Sequence, residues 1–465
     1  MKSWSMHASQ PRLERVLPKV LVLGAGMSGL VTARILKDSG FPVRVIEARR
    51  RLGGRIWTDT SLGVPCDLGA SWIHGVRKNP LTLWCQSLGI EMRKIPRGSV
   101  HFWRSGEHHH LPYMLLKGRK GFLRAALTFL HARVPSFNPK NPAKSPTDIS
   151  IEEMLAPLVS DPKLGKENRS LIWWFLGLVE AINGAPAHEI SIREWDIMEY
   201  LQANAVPIGG FERLIEDAAK GLDIELDTSV KRVIYGDRGV KIITSKGIFS
   251  GDIAVVTFPL GVIRSKAVVF EPSLDPAKQR AIDRIGYGGV LNKAVLLFKR
   301  RFWPHGHERL TSLPESPQSR AVFNYWADFS RSVGAPLLVG FTSGKAAKGL
   351  DRSASDREIY ERVTFSLKNM FSQSIQTPEG FLLTRWLSDP WSRGSYSYGA
   401  PGNSEKDREE LARPVANRLY FTGEATHQEH YGTVHGALLS AQREAIRIHR
   451  RYCCNNYTLR NLPWM

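Results

Sequence analysis

Residues 18–48 read PKVLVLGAGMSGLVTARILKDSGFPVRVIEA, and this stretch decides the fold. The apolar run 20–23 has the pattern of a short buried strand, and 43–46 that of a second. Between them, Leu30, Ala33, Ile35 and Leu36 form the apolar face of a helix predicted to end at Gly40. Gly24, Gly26 and Gly29 have the spacing GxGxxG, which permits a tight turn, close approach of the backbone to a pyrophosphate, and close packing of helix on strand. Glu47 ends the second strand, where its carboxylate would accept hydrogen bonds from ribose hydroxyls. Strand, turn, helix, strand and acid in this order predict a parallel α/β unit that binds a dinucleotide. FAD and NAD carry the same adenosine diphosphate, so the motif by itself leaves both open.

Outward from that unit, 465 residues suggest two or three lobes, and 42% apolar with 23% charged residues is the composition of a soluble globular chain. Disorder and fibres are excluded. Lys and Arg exceed Asp and Glu by 64 − 44 = 20, but the excess is spread along the chain. Its densest clusters, 49–51, 117–120 and 299–301, lack the interleaved aromatics of a single-strand binder, so we expect a basic solvated surface and no nucleic-acid partner. Cys66, Cys85, Cys453 and Cys454 show no zinc or disulfide spacing. The longest apolar run, 171–179, stops at Glu180, too short to span a membrane. With no apolar leader, the expected location is cytoplasmic.

Past Glu47 the chain continues with Arg49, Arg50, Arg51 and Leu52, then a glycine pair, Gly53 and Gly54, and Arg55. This segment resembles the extended FAD fingerprint of the flavin amine oxidase superfamily. The sequence GASWIHG at 69–75 is similar to the polyamine oxidase and spermine oxidase branch, and 418–440, RLYFTGEATHQEHYGTVHGALLS, is similar to the C-terminal flavin motif. IGGF at 208–211, TFPLGV at 257–262, LNKA at 291–294 and GSYS at 394–397 fall between them in the family's order. The resemblance covers about residues 18–450.

It implies an α/β fold: a discontinuous Rossmann-type FAD-binding domain from 18–78, 205–264 and 380–450, an α+β substrate-binding domain from 79–204 and 265–379, and tails at 1–17 and 451–465. Within it, 229–234, 240–244 and 247–257 read as a β-meander, 115–200 as helical with a proline-rich linker at 135–146, and 265–380 as a mixed sheet. Arg55 would meet the pyrophosphate, with Arg50 and Arg51 on the surface. Gly24, Gly26, Gly29, Glu47, Gly69, Ala70, Ser71, Trp72, the Val230 backbone at adenine and Trp386 complete the expected FAD contacts. Glu424 would take a ribitol hydroxyl. The backbone of Thr433 and Val434, at a helix N-terminus, would face the flavin pyrimidine, where negative charge builds on reduction. A serine, Ser395, stands where monoamine oxidases carry the cysteine that bonds FAD, so the cofactor is expected to be noncovalent.

Catalytic roles implied by the resemblance fall on Lys293, placed to reach flavin N5 through a water and lowered in pKa by burial; on Tyr396, the aromatic wall over the flavin; and on His74, at the substrate channel. Thr433 occupies the family's second tyrosine position. No metal is expected: the consecutive histidines 108–110 follow a turn signal, read as a hairpin, and alternate faces. Partners are a small-molecule amine and O2. The expected reaction takes a hydride from the carbon beside the amine nitrogen to N5 and gives an imine, hydrolysed to aldehyde and amine, while O2 becomes H2O2. A polycationic amine approaching a chain of net charge +20 needs acids at the entrance, and Glu180, Glu189, Glu194, Asp196 and Glu199 are the candidates. The rival readings are an L-amino-acid or other monoamine oxidase, in which Arg264 or Arg385 would hold the carboxylate; a lysine demethylase, which would need a docking module; and a flavin-binding scaffold without turnover.

Overall fold

A strand with no polar alternation must be covered on both faces, and Val20–Leu23 is: all four residues are fully buried. The computed structural model describes residues 16–95, 100–104, 107–109, 148–193, 203–371 and 375–453. In it, Val20–Leu23 is the centre of a five-stranded parallel sheet ordered Leu419–Phe421, Ile253–Val256, Val20–Leu23, Val43–Ile46, Ile224–Glu225. Helix Met27–Asp38 and the last helix, Val434–Tyr452, pack together on one face, where Leu30, Ile35 and Leu36 share a core with Leu438, Ala441 and Ile448. Leu21 and Leu23 face the other way, against Val233, Tyr235 and Ile242 of a four-stranded sheet.

That second sheet corrects one reading. Val230–Gly236, Gly239–Thr244 and Gly247–Gly251 do form an antiparallel meander, but 247–257 is two strands, because Ile253–Val256 leaves it and enters the parallel sheet beside Val20–Leu23. Asp252 makes the break: its backbone N–H donates to Lys19 O at 2.9 Å and its carboxylate accepts from Lys19 N at 2.6 Å. Burial marks the same point, since Ile253–Val256 is wholly buried and Gly247–Gly251 is not.

A seven-stranded mixed sheet stands opposite, ordered Gly380–Leu383, Leu291–Leu297, Leu337–Ser343, Val322–Asp328, Arg309–Thr311, Val100–Arg104, Glu107–His109. The hairpin expected before the consecutive histidines is present and supplies the last two strands. Helix Lys166–Asn183 packs on Leu337–Ser343 and ends at Gly184, a left-handed residue at φ 58°. A Cβ there would lie 2.9 Å from the Tyr396 ring, so this glycine fixes how closely helix and ring approach. The linker at 135–146 and the helical reading over 115–147 lie outside the described residues, as do Glu194, Asp196 and Glu199. No helix among the described residues is long and apolar enough to cross a membrane.

Parts of the basic clusters are structural rather than solvated. Arg51, expected on the surface, donates to Leu52 O, Gly54 O and Ile56 O and lies over Trp57, 4.7 Å from the ring centroid. Arg49 makes a two-pronged bond to Asp389 at 2.8 Å and Arg301 pairs with Asp328, whereas Arg50 stays exposed as expected. Short loops turn these guanidiniums inward onto free carbonyls and acids, which composition does not reveal.

Candidate active site

The GxGxxG turn is shaped by contacts only glycine allows. Gly24 sits at φ 117° with its Cβ position 2.3 Å from Thr257 Oγ1, and a Cβ on Gly29 would lie 1.9 Å from Gly24 O. Helix Met27–Asp38 consequently starts tight against the strand, with no side-chain cap and no acid in its first turn. Its first turn lines a cavity of about 560 Å³, with Gly24, Gly26, Met27 and Ser28 on the wall, so the positive end of the helix dipole stands at that space. The second helix N-terminus on that cavity is the one expected: Thr433 caps Val434–Tyr452, its Oγ1 accepting from Gly436 N at 3.0 Å, and Thr433 and Val434 line the space.

Every expected site residue except Gly29 lines this one cavity: Gly24, Gly26, Glu47, Arg55, Gly69, Ala70, Ser71, Trp72, His74, Val230, Lys293, Trp386, Tyr396, Glu424, Thr433 and Val434. Gly29 lies beneath the turn and acts through packing. Glu47 accepts from Ala25 N at 2.6 Å and Arg49 N at 2.8 Å; burial nonetheless pushes its carboxyl up from the usual range. The Glu424 carboxylate accepts from Arg55 at 2.8 Å, Ser397 Oγ at 2.7 Å and Gly432 N at 2.7 Å. Burial alone would raise the Glu424 pKa, but Arg55, Ser397 and Gly432 outweigh it and hold it below the ordinary value. Glu424 and Arg55 thus hold each other on the cavity wall.

Lys293 sits on Leu291–Leu297 and is 4% exposed, so its ammonium needs internal acceptors. It donates to Asp67 O at 2.7 Å, to Gly69 O at 2.6 Å and to Ser71 Oγ. Burial lowers its pKa to about 8, against the opposing pull of Asp67, whose own carboxyl burial raises to about 6. Tyr396 donates to Ala181 O and Ile182 O at 3.0 Å each, at the C-terminal end of Lys166–Asn183, and burial raises its pKa.

Sequence reading missed Arg309, Tyr325 and Phe341 at the far end of the cavity, together with Ala181, Ile182 and Asn183. They come from the seven-stranded sheet and the helix facing it, and no local motif marks them. Two acids expected at the entrance are elsewhere: Glu180 is buried against Arg320 at 3.0 Å, and Glu189 binds Lys348 and Tyr398. Neither carboxylate arginine of the amino-acid oxidase reading lines the cavity, since Arg264 is spent on Ile282 O, Asp283 O and Ile285 O, and Arg385 on Leu350 O, Asp351 O, Ala354 O and Asp356.

Two helix N-termini, one without a side-chain cap and one capped by Thr433, an acid at the end of the second strand and a long shared cavity define a dinucleotide-binding site. The family of flavin containing amine oxidoreductases matches residues 27–449, and the chain belongs to it. Polyamine oxidase 2 of Arabidopsis thaliana is 33% identical over 97% of this chain and 93% of its own length. Lysine-specific histone demethylase 1 homolog 1 of Oryza sativa subsp. japonica is also 33% identical, over 93% of this chain, which spans 52% of that relative. Wild-type putrescine oxidase bound to putrescine shares the fold with a TM-score of 0.74 at 21% identity, over 94% of this chain and 99% of that one. The residues fit FAD, and it is held noncovalently: Ser395 Oγ accepts from Leu291 N at 2.8 Å, and none of the described cysteines lines the cavity.

Proposed function

We propose that the protein oxidises a polyamine-type amine at the carbon beside its nitrogen, giving an imine that water splits to aldehyde and shorter amine, with O2 reduced to H2O2. The observation that carries this reading is the placement of Lys293, Tyr396, His74 and the Val434 helix N-terminus on the same cavity as the GxGxxG turn. When bound, FAD supplies the two-electron acceptor. The chain supplies position and proton handling. Tyr396, anchored to Ala181 and Ile182, would orient the amine; Trp72, Tyr325 and Phe341 would exclude water. His74 would accept a hydrogen bond from the substrate nitrogen, favouring its uncharged form. Lys293, with a pKa of about 8, would hold or release a proton near neutral pH. Near-complete mutual coverage with polyamine oxidase 2 supports the substrate class.

Oxidation of a methylated lysine side chain is the second reading, supported by the equal identity to the demethylase homologue. Anaerobic mixing with spermine, spermidine, N-acetylated polyamines, monoamines, L-amino acids and a methyl-lysine peptide tests both. Bleaching of the visible flavin band by polyamines is expected; bleaching only by the peptide would select the second reading, and bleaching by none would sink both.

A further inference from the structure

Three histidines outside the cavity converge at the edge of the seven-stranded sheet. His101 lies on Val100–Arg104 and His108 on Glu107–His109, paired antiparallel with Trp103 opposite His108. Alternate residues of a strand share a face, so His101, Trp103 and His108 point the same way. Arg309–Thr311 runs parallel alongside with Leu310 opposite His101, and His307, in the irregular segment that leads into that strand, brings its ring to 3.8 Å from that of His101. One ring nitrogen from each histidine lies within 4.8 Å of the other two, and His101 Nδ1 is 3.0 Å from His108 Nε2. The consecutive histidines cannot converge along their own strand; convergence here comes from different strands.

We propose that His101, His108 and His307 form a binding site for a divalent transition-metal ion of the zinc class. Zinc–nitrogen bonds of about 2.0–2.1 Å in a tetrahedron put ligand nitrogens roughly 3.4 Å apart, a small adjustment from the observed spacing. An all-imidazole donor set selects zinc, cobalt, nickel or copper over calcium and magnesium, which require oxygen. Trp103, buried, stacks on His108 at 4.6 Å and meets His307 edge-on at 6.0 Å, giving the ligands a fixed apolar floor. Three protein ligands leave a fourth position for water or an added ligand. None of the three lines the flavin cavity, but Arg309, two residues past His307, does, so the ion would tie the edge hairpin to the segment that carries Arg309.

The test uses the full-length flavoprotein without a polyhistidine tag, stripped with chelator and titrated with Zn2+ by calorimetry. One Zn2+ per chain is expected, with affinity falling as pH is lowered because protons compete for the imidazole nitrogens. His101→Gln and His307→Gln should each weaken binding by at least about tenfold while keeping the flavin spectrum and amine turnover of the parent. X-ray absorption of the zinc-loaded parent should show a shell of light nitrogen and oxygen scatterers at about 2.0–2.1 Å with imidazole features and no sulfur. No binding, undiminished binding in both variants, or a sulfur shell pointing to cysteine would each overturn the site.

Discussion

The ammonium of Lys293 donates to the carbonyl oxygen of Gly69 at 2.6 Å, joining the seven-stranded sheet to the GASWIHG segment at the floor of the cavity. Because burial sets its pKa at about 8 against an ordinary 10.5, the unfolded chain holds a proton between those values that the native protein has released. From this group, stability therefore rises with pH between about 8 and 10.5, and below pH 8 the buried charge costs roughly 3 kcal/mol. Lys293→Met removes that slope, so the wild-type melting temperature should rise relative to the variant's as pH goes from about 8 to 10.5 and hold a constant offset from it below pH 8. Turnover in the variant should fall by roughly 10²-fold with flavin still bound. An undiminished turnover would remove Lys293 from the reaction.

Buried ion pairs are sensitive to the loss of one member, and Arg55–Glu424 at 2.8 Å joins two segments that both line the cavity. Glu424→Gln would leave the half-buried guanidinium without its counter-charge, at a cost below the roughly 3–5 kcal/mol of a fully buried unpaired charge. The folded Glu424 pKa is depressed, so its stabilisation is present above pH 4.5 and is lost as pH falls through the folded value. Thermal melts should show the wild type losing stability below pH 4.5 by more than Glu424→Gln does. Flavin content after gel filtration should drop in the variant at every pH.

Gly29 and Gly349 make a controlled pair. A methyl group on Gly29 would meet the Gly24 carbonyl oxygen at 1.9 Å, a backbone clash that no rotamer relieves, whereas Gly349 has open space around its Cβ position within helix Gly344–Ser353. Gly29→Ala is expected to yield flavin-free or insoluble protein. Gly349→Ala should keep the flavin and gain about 0.5–1 kcal/mol from helix propensity. Equal flavin content in the two variants would refute the account of the turn.

These residues also mark what the sequence makes legible. The turn at Gly24–Gly29, the acid at Glu47 and the start of the last helix near Val434 rest on short-range geometry, where spacing along the chain determines position. Lys293 was legible because a lysine in an apolar strand needs a buried partner. Arg51, Glu180 and Glu189 were misplaced because their partners, Gly54 and Ile56, Arg320, and Lys348 and Tyr398, come from loop closure or other layers. For the same reason Arg309 and Tyr325 depend on inter-strand register, and the meeting of His101 with His307 on the path of the segment before Arg309–Thr311, which no local pattern encodes.

Charge in the cavity makes the last prediction. Its walls carry Arg49, Arg55, Lys231, Lys293, Arg309 and Arg393 against Glu47, Glu424 and Glu429. Glu47 is engaged with the Ala25 and Arg49 backbone and Glu424 with Arg55, so Glu429 is the lining acid not committed to these contacts. A polycation entering such a space, in a protein of net charge +20, meets repulsion that salt should relieve, the screening length being about 10 Å at 0.1 M. Initial rates over a range of ionic strength should show kcat/KM for spermine rising with salt, and rising less for an N-acetylated polyamine of lower charge. Glu429→Gln should steepen the rise. If kcat/KM for spermine falls with salt instead, the approach is steered by attraction, and the acids that do so must lie beyond the walls described, with Glu194, Asp196 and Glu199 the first to substitute.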